Sequence, residues 1–160
     1  MRTWKVVVPV LLVAIVAASV PAVFAQSANS KVADEIIAIV KAQWEAGDKK
    51  NTKEAMKNVA DDYTEFNGDY ATRLDGKAVN VRLSEASDKA SGQAIASEML
   101  NEKVQVYGDV AILTYNFAGL NQDKDGKTEP SRAKSTRVYV KQNGKWMLVH
   151  ANFGADPLPK

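Results

Sequence analysis

The feature that most constrains this fold lies in the last third of the chain, where turn signals separate stretches of alternating apolar and polar residues. The signals are Gly108-Asp109, Asp125-Gly126 and Asn143-Gly144, and each suits a two-residue hairpin whose backbone requires positive φ. They predict four antiparallel strands, at residues 95–107, 110–120, 129–142 and 145–153. Consecutive hairpins form a curved sheet, and at least one face of that sheet must be covered by other elements.

Three helices are predicted before this meander, at residues 31–48, 51–63 and 77–88, because apolar side chains recur there at helical spacing. Asn51 is the predicted cap of the second helix. An irregular connection at residues 64–75 leads to the third. The predicted fold class is therefore α+β, with three N-terminal helices packed on a curved four-stranded antiparallel meander to form a cup.

The N-terminal segment has the pattern of a secretory signal peptide. Arg2 and Lys5 lead into a long apolar run that ends in Val23-Phe24-Ala25, where small side chains suit a signal peptidase. The alternative is an uncleaved membrane anchor, for which the run is near the lower limit of length. We predict a signal peptide at residues 1–25, a single domain at residues 26–160, and a periplasmic or secreted location.

Charge and cysteine content exclude several classes of function. Removing Arg2 and Lys5 leaves 19 basic residues against 19 acidic ones, so the mature domain is neutral. A neutral surface with interspersed charges argues against nucleic-acid binding and against a polybasic membrane contact. The chain has no cysteine, which excludes thiol catalysis, iron–sulfur clusters and cysteine-based zinc sites.

His150, the only histidine, is the first candidate functional residue. Period-two alternation in the last strand places one set of side chains on a shared face: Trp146, Leu148, His150 and Asn152. On that face His150 is expected to point into the cup, as a general acid–base or as a residue that lines a pocket. The alternative is a buried histidine satisfied by the backbone or by Asn152. The opposite face is also largely apolar and is a candidate for a partner's surface.

Arg137 and Asp62 are the other charged candidates. Arg137 alternates with Tyr139 in the third strand, and an inward arginine implies an anionic ligand or a carboxylate partner such as Asp62, Glu65 or Asp69. A solvated strand arginine is the alternative. Asp62 is predicted at the end of the second helix, either as a base in an apolar cup or as part of a solvated helix end.

No metal or cofactor is expected. The segment Asp123-Lys124-Asp125-Gly126 has a faint similarity to a calcium loop, but the later acidic ligands are missing, and a hairpin tip explains it. One histidine without cysteine gives no support for a zinc site or a Ser/His pair.

Several segments resemble the nuclear-transport-factor-two-like (SnoaL-like) superfamily. Within it, the closer similarity is to the association (hub) domain of calcium/calmodulin-dependent protein kinase II and its bacterial stand-alone relatives. The segments that carry this are Glu35-Ile36-Ile37, Gly108-Asp109 with residues 111–115, residues 135–139, residues 143–150 and residues 154–157. The resemblance implies a cone-shaped α+β fold, a conical pocket and assembly through the sheet.

The same resemblance implies which residues line the pocket. Hub-domain pockets carry several arginines and bind small carboxylates, and Arg137 matches one of those arginines. Phe117 and Phe153 stand where two more arginines are expected, and Asn152 stands where a second histidine is expected. These differences make the predicted pocket less cationic.

Our leading hypothesis is an exported, non-catalytic domain that forms homo-oligomers through its sheet and binds a small organic molecule. The predicted pocket residues are Trp44, Tyr63, Phe66, Tyr115, Phe117, Arg137, His150 and Asn152. The alternative is a small enzyme of the polyketide cyclase, ketosteroid isomerase or dehydratase type that acts on a hydrophobic carbonyl compound. In that case His150 or Asp62 moves a proton, Tyr63 or Tyr115 stabilises negative charge, and Arg137 orients the substrate. A third possibility is an immunity or envelope-associated partner protein.

Overall fold

The computed structural model describes residues 20–90 and 93–156, with side chains at residues 29–89 and 93–156. It contains three helices and six strands in these ranges. In chain order they are α1 (Val20–Asp48), α2 (Thr52–Ala55), β1 (Val59–Asn67), β2 (Leu74–Asp75), α3 (Lys77–Ala90), β3 (Gln93–Tyr107), β4 (Val110–Gln122), β5 (Thr128–Gln142) and β6 (Lys145–Ala155). Most of the predicted signal peptide lies outside the described residues, and α1 continues through its predicted cleavage point.

The strands form one mixed sheet in the order β2-β1-β6-β5-β4-β3. The prediction of three helices on a four-stranded meander was wrong, because the sheet has six strands, two of which precede α3, and the predicted second helix is a single turn. β1 runs parallel to β6, and β2 pairs antiparallel with β1. The sheet therefore extends beyond the meander on the β6 side.

The error arose at the predicted second helix. Asn51 does cap α2, since its Oδ1 accepts a hydrogen bond from the Glu54 backbone N–H at 3.2 Å, but the helix ends at Ala55. The next apolar residues, Val59 to Tyr63, fit a helical period as well as a strand, and short runs do not separate the two. The aromatic and β-branched side chains that follow favour a strand, and pairing with β6 fixes it, with a register shift between Val59 and Thr64.

Turn chemistry sets the meander's hairpins. Asn143 and Gly144 both have positive φ, 50° and 78°, as a type I′ turn between β5 and β6 requires. β3 and β4 are likewise joined by two residues. Asp125-Gly126 does not form a two-residue turn by itself, because β4 and β5 are joined by the longer loop of residues 123–127.

The core lies between α1 and one side of the sheet, which we call the inner face. Ile36 and Val40 of α1 are fully buried there, against Leu113, Tyr139 and Trp146. Burying each such aliphatic side chain stabilises the fold by about 1.5–3 kcal/mol. The opposite side, the outer face, carries side chains that are only partly buried.

A β-bulge in β6 changes which residues face the core. Leu148 pairs with Tyr139 and His150 pairs with Val138, so Val149 is an extra residue in β6. Beyond it, Ala151 and the residues that alternate with it face inward. The prediction that His150 shares a face with Leu148 was therefore wrong, because the bulge reverses the alternation and turns the imidazole to the outer face.

Candidate functional site

A cavity of about 620 Å³ opens between α1 and the inner face of the sheet. Its volume is within the range of small-molecule sites. Five parts of the chain contribute residues: α1, the end of β1 with the segment that follows it, β4, β5 and β6. The lining residues are Trp44, Asn67, Gly68, Asp69, Tyr115, Phe117, Ser131, Arg132, Ala133, Arg137, Phe153, Gly154 and Ala155.

Arg137 is the buried cation of this cavity, and only 6% of it is exposed. Its Nε donates a hydrogen bond to the Tyr115 hydroxyl at 3.0 Å, and its Nη1 donates to Gln43 Oε1 at 2.7 Å. Within residues 20–90 and 93–156, no carboxylate forms a salt bridge with it. The guanidinium is therefore held by neutral partners and keeps its charge in a buried setting.

Aromatic rings form the walls around Arg137. Its Cζ lies 5.2 Å from the Phe153 ring centroid and 5.9 Å from that of Tyr115, which are cation–π distances. Trp44 contacts the Tyr115 and Phe117 rings edge-on, with centroids 5.8 and 5.3 Å away. These contacts fix the rings in place and leave an apolar space beside one charge.

Ser135 adds an unused polar atom near the cavity. It lies between Ala133 and Arg137 on the inner face of β5, and its cross-strand neighbours are Tyr115 and Phe153. The residue is 4% exposed, and its hydroxyl has no hydrogen-bond partner among the described residues. A buried hydroxyl in this position can bond to a water molecule or to a bound group.

A second polar group, on β1, borders the cavity. The Tyr63 hydroxyl donates to Glu65 Oε2 at 2.7 Å, and Asn67 Nδ2 donates to Glu65 Oε1 at 3.1 Å. Burial is the largest cause of the raised pKa of Tyr63, and the adjacent Glu65 carboxylate raises it further. Asn67 thus connects the cavity lining to a buried carboxylate.

The structure brings together half of the predicted pocket residues. Trp44, Tyr115, Phe117 and Arg137 line the cavity. Tyr63 is buried against Glu65 and is not part of the lining. The other three lie on the outer face: Phe66, His150 and Asn152.

His150 and Asp62 are not placed for proton transfer in this cavity. His150 Nδ1 is 2.9 Å from the Thr64 hydroxyl, and the Phe66 ring contacts the imidazole edge-on at 6.0 Å on the outer face. Asp62 is an exposed residue in the middle of β1 and does not end a helix. The two groups named for acid–base chemistry are thus outside the cavity.

The sequence reasoning missed several residues that line the cavity or contact its arginine. Gln43 precedes Trp44 on α1, and no pattern marked it as the partner of an arginine. Phe153 was assigned to the opposite face because the bulge was not foreseen. Asn67 lay in a segment predicted as irregular, although its alternation with Tyr63 and Glu65 was a usable signal for a strand.

Two findings bear on metals and membranes. Across residues 20–90 and 93–156, no group of three or more histidine or acidic side chains is close enough to hold a metal ion. No helix in the described part of the chain is long and apolar enough to cross a membrane.

Comparison with known families assigns this architecture. The family model of the calcium/calmodulin dependent protein kinase II association domain matches residues 32–157 of the sequence, which is most of the chain. The chain belongs to this association domain family. The predicted resemblance to association domains and to the wider nuclear-transport-factor-two-like superfamily is thereby confirmed. None of the curated proteins matches the chain in sequence.

Solved structures share the association domain fold. The association domain of the kinase from C. elegans superposes with a TM-score of 0.68 at 18% identity, over 80% of this chain and 98% of that one. The kinase hub of S. rosetta gives a TM-score of 0.61 at 22% identity, over 74% and 92%. A nuclear transport factor 2 (NTF2-like) superfamily protein from Salmonella enterica gives 0.70 at 16%, over 82% and 95%. At these identities the similarity establishes the fold alone.

Proposed function

We propose that this protein is an exported, non-catalytic association domain that assembles with copies of itself and binds a small organic anion in its cavity. The observation that carries the binding part is Arg137, a buried guanidinium that faces an aromatic-walled cavity and has no carboxylate partner among the described residues. Membership of the association domain family supports the assembly part.

The charge of Arg137 favours an anion as the ligand. A buried charge without an ionic partner costs several kcal/mol in desolvation, and the neutral Tyr115 and Gln43 satisfy only part of its N–H donors. A carboxylate can accept two parallel hydrogen bonds from the remaining donors. The unpaired Ser135 hydroxyl offers one more contact nearby.

The walls favour a ligand with an apolar body. Trp44, Phe117 and Phe153 offer ring surfaces, and each buried methylene or aromatic carbon of a ligand gains the free energy of leaving water. The ligand class is thus a small carboxylate with an aliphatic or aromatic body. The enzyme alternative has less support, because His150 and Asp62 lie outside the cavity.

Calorimetric titration tests the binding proposal with phenylacetate as the probe and phenylacetamide as its uncharged match. We expect phenylacetate to bind and the amide to bind more weakly. Arg137→Met should weaken phenylacetate binding on the order of a hundredfold, since a buried charge pair is lost. Arg132→Met, at the exposed rim of the cavity, is the matched control and should change affinity far less. Equal binding of the acid and the amide, or unchanged binding to Arg137→Met, would contradict the proposal.

The outer face supports self-association. Its centre consists of partly buried apolar side chains on three adjacent strands: Ile112, Val138, Val140 and Met147. Such a face remains in contact with water in a monomer, and a second copy of the same face would cover it. The occupant we propose is therefore another copy of this chain.

Light scattering during size-exclusion chromatography tests the assembly. Val138 pairs with Ile112 on one side and His150 on the other, so Val138→Asp places a charge at the centre of the proposed interface. An uncompensated buried charge costs about 3 kcal/mol, which weakens association on the order of a hundredfold. Lys124→Glu, in the exposed β4–β5 loop, is a control for charge change alone. A wild-type monomer at tens of micromolar, a rough working range for stable interfaces, would refute the assembly.

Export is tested through cleavage of the signal peptide, which the mass of the protein recovered from the producing cells reports. The proposed mature chain begins at Gln26. Among the described side chains of α1, those in contact with the core begin at Val32, so removal of the first 25 residues leaves those contacts intact. A recovered chain that keeps residues 1–25 would contradict the proposed cleavage.

A further inference from the structure

Trp44 borders two separate depressions. Trp44 lines the cavity that contains Arg137, and it also lines a depression of about 530 Å³ between α1 and β3. We call the second space the α1–β3 groove, and its walls include Lys41, Glu45 and residues 94–99. Trp44 is the residue common to both linings.

The contacts of Trp44 place it between the cavity and the α1–β3 groove, where it forms a partition. Its ring is held edge-on by Tyr115 and Phe117, with centroids 5.8 and 5.3 Å away, both on the cavity side. Phe117 of β4 is the register partner of Met99 in β3, and Met99 lines the groove. The wall between the two spaces therefore has Trp44 on the helix side and the Phe117–Met99 pair on the sheet side.

We propose that Trp44 determines specificity by limiting the length of the ligand that the cavity accepts. This rests on the proposed function, in which a carboxylate is anchored at Arg137. A ligand anchored there extends along the aromatic walls until its distal end reaches the Trp44 ring. Replacing that ring by a small side chain joins the cavity to the groove, and a longer apolar chain can then pass through.

A chain-length series tests the proposal. The probes are the linear alkanoates from butanoate to decanoate, below their micelle-forming concentrations, titrated by calorimetry against wild-type protein and Trp44→Ala. In wild type, affinity should rise about fourfold per added methylene and then stop rising at one chain length. In Trp44→Ala the rise should continue into longer members, and Trp44→Phe should shift the limit less.

Val40→Ala is the matched control. Val40 lies one turn before Trp44 on α1, is fully buried, and lines neither space, so this variant should keep the wild-type limit. It also controls for loss of stability. If Trp44→Ala does not fold, Trp44→Phe and Trp44→Leu decide the result by the same shift.

The matching n-alkanols separate this proposal from the carboxylate anchor. If alkanoates fail to bind, and the chain-length limit for alkanols is longer in Trp44→Ala than in wild type, the anchor at Arg137 is refuted and the partition by Trp44 is supported. Alkanoate binding that depends on Arg137, with the same length limit in wild type and in Trp44→Ala, would overturn the partition and leave the anchor standing. Absence of binding by both series to both proteins would overturn the two together.

Discussion

Gly119 is the position where one added methyl group should disturb the cavity most. It lies on β4, and a Cβ built there would be 2.7 Å from Phe117 Cζ and 3.2 Å from the Ala96 carbonyl oxygen. The first distance is far below van der Waals contact, so Gly119→Ala must displace the Phe117 ring. That ring is in edge contact with Trp44.

The expected cost follows from three contributions. Overpacking costs about 1–3 kcal/mol, and losing the Phe117–Trp44 ring contact costs a further ~0.5–1.5 kcal/mol. Against these, alanine gains about 0.5–1 kcal/mol over glycine in a strand because it loses less backbone entropy. Gly119→Ala should therefore destabilise the fold by about 0.5–4 kcal/mol, with a central value of about 2 kcal/mol.

A double-mutant cycle identifies the ring as the cause. In a Phe117→Ala background the obstructing ring is absent, so adding Gly119→Ala should no longer destabilise the fold and should raise the free energy of unfolding by about 0.5–1 kcal/mol, the gain of alanine over glycine. Urea titration followed by circular dichroism measures all four proteins, at one protein concentration because assembly contributes to stability. An equal loss in both backgrounds would refute the reasoning and point to the Ala96 carbonyl as the obstruction.

Three further predictions concern other parts of the structure. Burial raises the pKa of Tyr63, so above about pH 10 this phenol ionises only in the unfolded state. The free energy of unfolding should therefore fall by about 1.4 kcal/mol per pH unit above that pH. Tyr63→Phe should remove this contribution to the pH dependence, which urea titrations at several pH values measure. His150→Ala and Asp62→Asn should leave phenylacetate affinity within about twofold of wild type, since both lie outside the cavity. A loss of affinity above about tenfold, or 1.4 kcal/mol, would show that these side chains contact the ligand. Gly144→Ala should destabilise the fold by about 1–2 kcal/mol because φ at this residue is +78°. Gly47→Ala, at an open site without positive φ, should be neutral or slightly stabilising. Equal effects of the two substitutions would show that positive φ is not the cause.

The turn-forming residues and the alternation of apolar and polar residues made the meander predictable. Asn143-Gly144 specifies its own turn, and the alternation on either side specifies two strands. The third helix was also predictable from its apolar period, because it is long enough to repeat. These elements need little information from the rest of the chain.

The segment after α2 could not be assigned in the same way. Val59 to Tyr63 is too short for periodicity to distinguish helix from strand, and its strand state depends on pairing with β6, almost ninety residues later. Asp62 and Tyr63 were misplaced for that reason. Tertiary pairing overrode a local pattern that was itself ambiguous.

Arg137 could be found from the sequence, but its partners could not. Alternation with Tyr139 places it on the inner face, and that inference needs only β5. The acceptors, Tyr115 and Gln43, come from another strand and from α1, at contacts that no spacing rule encodes. The sequence left Arg137 open between a buried cation in need of a partner and a solvated strand residue, and only the assembled fold shows that it is buried and that its partners are neutral.

The bulge at Val149 determines which side chains of β6 lie on each face of the sheet. Because β6 gains one residue there, Phe153 turns inward to 5.2 Å from the Arg137 guanidinium, and His150 turns outward to the Thr64 hydroxyl. If the same sequence continued past Leu148 in regular alternation, His150 would pair with Arg137 and point inward, and two ionisable groups would share the cavity. One local irregularity therefore leaves the cavity with one buried cation beside aromatic walls. It also places the chain's only histidine on the face where we propose self-association.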